Sequence, residues 1–252
     1  MNVLLLIMSQ GYISDILFHF VGKDLLKEEE QYELLKKIIQ EGWVSFPPHE
    51  QQISPGSVKI DSMSSRKLEE MINPDCVCFS DIPKEKISLH VKKYSKFGLG
   101  FARDFLLLKG ANPIFYIEEN SIAFVQSQNT TYDKVNMKEY YQKHFSKTIF
   151  YFLMCYIPYT QKIANDKKSD TELRDTWDIL NFLINVCSHF KPWNDMLDDT
   201  DPNNFYYERE WRALNNINFA LSDVKIICLP KIFIERFKND FPDYRGEIEE
   251  IQ

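Results

Sequence analysis

The run Tyr206-Tyr207-Glu208-Arg209-Glu210-Trp211-Arg212-Ala213-Leu214 gathers two carboxylates, two guanidinium groups and three aromatic rings in nine consecutive residues. Carboxylates so placed can act in acid/base steps or accept a hydrogen bond from a sugar hydroxyl. If the run is a strand, successive side chains alternate between faces. Glu208, Glu210 and Arg212 then share one face, and Tyr207, Arg209, Trp211 and Ala213 share the other. The pattern suits the wall of a polar site and equally a solvated face over a packed one. Two acids side by side on one strand do not flank a bond from two sides, which argues against glycoside hydrolysis. No third ligand stands nearby, so no metal is expected.

His19 is the second residue of chemical interest. It lies inside Ile16-Leu17-Phe18-His19-Phe20-Val21, a branched and aromatic run that reads as a buried strand. There it is either a satisfied core histidine or a hydrogen-bonding imidazole at the floor of a cleft. The segment from Asp81 to Lys109 is the basic part of an acidic protein. Lys84, Lys86, Lys92, Lys93, Lys96, Arg103 and Lys109 outnumber its acids, so it is either an anion-attracting surface or a solvated face. Phosphate-cradling glycine motifs and the G-x-S-x-G nucleophile elbow are absent from the sequence.

The elements that must position these residues follow from periodicity. Apolar residues at helical spacing over Lys23 to Gly42 predict an amphipathic helix that Gly42 stops. Trp43 to Pro48 is extended, and 49–64 is a loop. Ser65 to Ile72 reads as a short helix, Asp75 to Pro83 as a strand running into a turn, and Lys84 to Lys96 as a helix. Phe97 to Phe101 is a short strand in which Gly98 and Gly100 share a face and permit close approach of a backbone or a ligand. Asp104 to Lys109 is a short helix and Pro113 to Ile117 a strand. Met137 to Ala164 and Asp170 to Phe190 read as two long helices, Lys191 to Asn204 as an acidic loop, Val224 to Pro230 as a buried strand and Ile232 to Asp240 as a final helix. Strands, then a helical insertion at about 120–200, then strands make one α+β domain over 1–252.

A chain of 252 residues with 44% hydrophobic and 14% aromatic residues can fill one substantial core. A net charge of −7 gives no global nucleic-acid footprint. The five cysteines show no C-x-x-C pair. They read as small buried residues of a reducing cytosol, without a structural zinc. The apolar start lacks a basic leader, and the run Thr148 to Tyr159 is too short to span a bilayer, so a cytoplasmic protein is expected.

Three pieces taken together carry a family resemblance: Tyr12 to Gly22; Val77-Cys78-Phe79-Ser80-Asp81-Ile82-Pro83 continuing through His90, Tyr94 and Phe97 to Phe101 as far as Ile117; and Glu208-Arg209-Glu210-Trp211-Arg212. Their order resembles the AbiGi family of bacterial abortive-infection, phage-resistance proteins, which implies a toxin or antitoxin partner. The strand with His19, followed by a helix ending in Gly42, is also similar to the opening of the ADP-ribosyltransferase fold, including DarT-like toxins. That second resemblance implies a split, mixed sheet and NAD as cofactor. It makes His19 the NAD-contacting residue, Tyr94 or Tyr116 the ring against nicotinamide, Glu210 the catalytic carboxylate and Glu208 the residue that positions a protein or nucleic-acid acceptor. The non-enzymatic alternative is an antitoxin-like binding component of a two-gene defence system.

Overall fold

The computed structural model describes residues 14–46, 58–60, 72–91, 93–118, 185–193 and 206–252, with isolated positions between 174 and 204. In chain order, β1 (Ile16–Phe20) leads to α1 (Glu28–Glu41) and β2 (Trp43–Val44). After β3 (Val58–Ile60), β4 (Ile72–Pro74) and β5 (Val77–Ser80), a 3-10 turn at Lys84–Lys86 enters α2 (Ile87–Val91). Next come β6 (Gly98–Ala102), α3 (Arg103–Leu108), β7 (Asn112–Pro113), β8 (Phe115–Glu118) and β9 (Phe190–Trp193). The chain closes with β10 (Glu210–Ala213), β11 (Ile217–Asn218), β12 (Val224–Pro230), α4 (Lys231–Asp240) and β13 (Glu247–Ile251).

Seven strands form the main sheet in the order β13-β12-β6-β1-β5-β10-β7. Within that sheet, among the described residues, only β12 and β13 run parallel, joined by α4 as a β-α-β crossover. Alternation along the strands divides the molecule into two layers. Leu17, Val77, Phe79, Leu99, Phe101, Trp211, Ile227 and Leu229 enter the larger core, under α1 and α4. Tyr32 of α1 stacks on Phe233 of α4 at 5.0 Å and donates its hydroxyl hydrogen to Asp240 at 2.7 Å. The opposite face carries a smaller cluster of Phe18, Ile82, Ile87, Ile226, Cys228 and Ile251, which α2 covers in part.

Helix α1 ends where the sequence predicts. Gly42 takes a left-handed φ of 70°, and its N–H bonds the Ile38 carbonyl at 3.0 Å. Gly100 serves a different purpose from the close approach of a backbone or a ligand expected of it. A Cβ there would meet Ile16 and Phe18 at 3.0 Å and Ile226 at 3.1 Å, so its bare backbone makes room for neighbouring side chains of the smaller cluster. Gly100→Ala is expected to lower the free energy of unfolding by about 2 kcal/mol through overpacking. Urea denaturation followed by circular dichroism measures it; an unchanged midpoint would mean that Phe18 and Ile226 can separate at no cost.

Several expected elements take another form. The helix over 84–96 is a 3-10 turn plus the five residues of α2. Ile72, the end of a supposed helix, opens strand β4. The loop from Lys191 begins instead as strand β9, paired parallel with β8. The chain after Asp240 supplies the edge strand β13. The long helix over 137–164 and most of that over 170–190 lie outside the described residues, and 185–188 are helical. A mixed α+β sheet is present, and nothing in this topology singles out the ADP-ribosyltransferase arrangement. Among the described residues no helix is long and apolar enough to cross a membrane.

Candidate functional site

Glu208 and Glu210 do not come from a single strand. Tyr206–Glu208 is a 3-10 turn, Arg209 adopts a left-handed φ of 44°, and only then does β10 begin. A left-handed residue with a side chain costs of order 1 kcal/mol, so its surroundings must hold it there. The Arg209 carbonyl accepts the Asp81 N–H at 3.2 Å, and its guanidinium meets the Asp81 carboxylate at 3.0 Å. Asp81 is itself buried and also accepts the Ser14 N–H at 2.9 Å. Arg209 is thus the clasp between the turn and β5, and not the packing residue that strict alternation through 206–214 predicts. From Glu210 onward alternation holds: Trp211 and Ala213 enter the core while Glu210 and Arg212 face the other way.

Both acids end at one cleft of about 390 Å³ on the face opposite α1, between β1, β5, β10 and the segment around Tyr94. Glu210 is 5% exposed. Its Oε1 accepts from Arg212 Nε at 2.7 Å and its Oε2 from Lys191 Nζ at 2.8 Å. Arg212 donates in addition to the Ser188 carbonyl at 2.6 Å. Burial pushes the Glu210 carboxyl up, but Lys191 and Arg212 outweigh it and hold the group at about 2. The same carboxylate keeps Arg212 protonated against the burial that opposes its charge. Glu208 pairs with Lys93 at 2.5 Å and lies 3.9 Å from Lys191. Lys23 completes the set, so four cations and two carboxylates line the cleft and leave it net positive.

The β8–β9 ribbon delivers the central cation. Lys191 sits opposite Tyr116 in its register, and both reach Glu210. The Tyr116 hydroxyl accepts the Glu210 N–H at 2.9 Å. Tyr116 therefore buttresses β10 from behind and is absent from the cleft lining. Tyr94 does line it. Its ring stacks near Phe20 at 6.0 Å, Lys23 lies over it at 5.1 Å, and burial followed by the charge of Glu208 raises its hydroxyl far above the ordinary range.

His19 reaches the same cleft from the other side of the sheet. It is paired in register with Leu99 of the larger core, and its ring lies 5.8 Å from Phe79. Strand β1 meets β5 at one position only, Phe18 opposite Ser80. Beyond that pair, His19 Nδ1 comes within 2.9 Å of the Cys78 carbonyl. The imidazole thus forms part of the floor, while Glu210 projects from the opposite face.

Sequence reading located His19, Tyr94, Glu208 and Glu210, which share the cleft, and Tyr116, which stands behind it. It missed Lys191. Pro192 in the run Phe190-Lys191-Pro192-Trp193 argues locally against a strand. It also missed Cys76 and Cys78 as lining residues, although their i, i+2 spacing on an extended segment puts both on one face. Among the described residues no group of three or more His, Cys, Asp or Glu side chains is arranged to hold a metal ion.

No curated protein and no solved structure matches this chain. A family model does match, over residues 57–242, and it spans the cleft's β5, β9 and β10 together with Lys93 and Tyr94. With about three quarters of its length covered by that match, the chain belongs to the family described as abortive phage resistance protein AbiGi, antitoxin.

Proposed function

We propose that this chain serves abortive-infection phage defence as the non-catalytic, antitoxin-type component of a two-gene system. In this reading it binds a toxin protein, and the cleft recognises an anionic group of that partner. The observation that carries it is the double clamp on Glu210, with one buried cation on each carboxylate oxygen. A carboxylate held at about 2 is a poor proton acceptor at neutral pH, and its oxygens are already committed to fixed donors. The surplus positive charge of the lining favours an anionic partner. Co-expression with a toxin-like protein encoded beside it should restore host growth, and the two chains should co-purify. Toxicity of this chain expressed alone would overturn the assignment.

A second reading is NAD-dependent ADP-ribosyl transfer. It is supported by the meeting of His19, Tyr94, Glu208 and Glu210 at one cleft. In that mechanism Glu210 would bond the ribose hydroxyl and stabilise the positive charge that develops as nicotinamide leaves. Glu208 would position a protein or nucleic-acid acceptor, His19 would contact the ribose, and Tyr94, the tyrosine of the two that lines the cleft, would meet the nicotinamide ring. The purified chain incubated with labelled NAD and host extract separates the two readings. Antitoxin-type binding expects no label on any acceptor. Incorporation that depends on the chain would establish transfer instead.

A further inference from the structure

The cleft contains a second chemical feature that neither reading uses. Cys76 and Cys78 flank Val77, whose side chain enters the larger core, so both thiols face the cleft. Their sulfurs are 3.7 Å apart. Cys78 is exposed, whereas Cys76 is 8% exposed beneath it. Two thiols in contact in a cleft lined by four cations differ from cysteines used as small core residues. The contrast is present in the same chain: Cys187 and Cys228 are buried outside the cleft, and burial pushes both thiols up, Cys228 to about 12.

The environment also makes the two thiols unequal. Hydrogen bonding from Cys78 stabilises a thiolate on Cys76; burial opposes this, and the positive charge of Arg212 assists it. Cys78 moves the opposite way, held protonated by the same hydrogen bond. Two sulfurs 3.7 Å apart, one buried and one exposed, have the spacing at which one can be oxidised and its neighbour resolve the product.

We propose that Cys76 and Cys78 form a dithiol oxidation site that a peroxide converts to an intrachain disulfide. The Cys76 thiolate attacks one oxygen of hydrogen peroxide, the O–O bond breaks, and hydroxide leaves, giving Cys76 sulfenic acid. The Cys78 sulfur then attacks Cys76 sulfur, and water leaves with the Cys78 proton. The hydroxide takes up the proton that Cys76 released on ionising, so two thiols and one peroxide become one disulfide and two waters. The bond forms at the residue whose carbonyl holds His19 and which lies opposite Arg212 in the β5–β10 register, so oxidation acts on the backbone that aligns the cleft. The inference stands whether the cleft binds a partner or transfers a group.

The test is thiol counting on the full chain. Folded protein is treated with hydrogen peroxide, unfolded in guanidinium and alkylated with N-ethylmaleimide. The reduced chain should take up one group on each of its five cysteines. The oxidised chain should lose two of those additions, both mapping to the peptide of Cys76 and Cys78, and dithiothreitol should restore them. Full alkylation after peroxide, or oxygen added stably to Cys78 alone, would overturn the proposal. In Cys78→Ser, dimedone should trap a sulfenic acid on Cys76. Cys76→Ser should slow peroxide consumption about tenfold; an unchanged rate would remove Cys76 as the nucleophile. The wild-type mapping decides the matter even if either variant fails to fold.

Discussion

Glu210→Gln is expected to lower the free energy of unfolding by about 3 kcal/mol at neutral pH. The substitution keeps the shape and removes the charge, which leaves Lys191 and Arg212 buried beside a neutral amide. Breaking a buried pair from one side costs more than the pair contributes, because the partner charge remains desolvated. The same residue sets the acid response. Its carboxyl is held at about 2 in the folded chain against an ordinary 4.5. A depressed folded value means that the stabilisation is complete above about 4.5 and fades as the pH falls toward 2, over a span worth about 3 kcal/mol. Urea titrations from neutral pH down to pH 3 measure both effects. Wild type should lose stability progressively over the acid part of the range, and Glu210→Gln should lose correspondingly less. Parallel acid profiles in the two proteins would refute the clamp. A fall in defence or toxin neutralisation caused by this variant therefore has to be compared with its stability before Glu210 is given a chemical role.

Lys191→Met should cost about 2 kcal/mol, less than Glu210→Gln, since Arg212 still holds Glu210. It should also raise the Glu210 carboxyl, so that acid unfolding begins at a higher pH than in wild type. The decisive quantity is the double-mutant cycle. The combination Glu210→Gln with Lys191→Met should destabilise less than the two single changes added together, with a coupling of about 1–3 kcal/mol. Strict additivity would show that the 2.8 Å contact contributes nothing to stability. Because Lys191 is the central cation of the lining, its loss should also weaken any anionic partner, whereas Gly100→Ala on the neighbouring sheet surface should alter stability alone.

The elements that carry strong periodicity were readable from sequence. Helix α1 with its Gly42 stop, strand β1 around His19 and the run of β12 each combine local propensity with a burial pattern that points the same way. The candidate site was legible in its acids and illegible in their partners. Glu208 and Glu210 announce themselves as a pair, but the left-handed Arg209 that separates their elements depends on a contact with Asp81, 128 residues away along the chain. Nothing local to Arg209 encodes that contact. Lys191 depends on a parallel partner strand supplied by 115–118, and its neighbour Pro192 hides the strand. The last strand, Glu247–Ile251, was hidden by its composition. Three of its five residues are glutamates, as suits a sheet edge that must not recruit a further strand.

The strand order has a kinetic consequence during synthesis. The centre of the sheet is interleaved: β12 pairs with β6 although it emerges about 120 positions later, and β10 fills the place between β5 and β7. A nascent chain that has already released β1, β5 and β6 from the ribosome holds an incomplete sheet with its partner edges open. It acquires its charged cleft only when Glu210 to Ala213 dock, and its outer edge only with Ile251. The time between translation of the first strand and arrival of the last is therefore the interval in which this chain is most exposed to proteases and to mispairing.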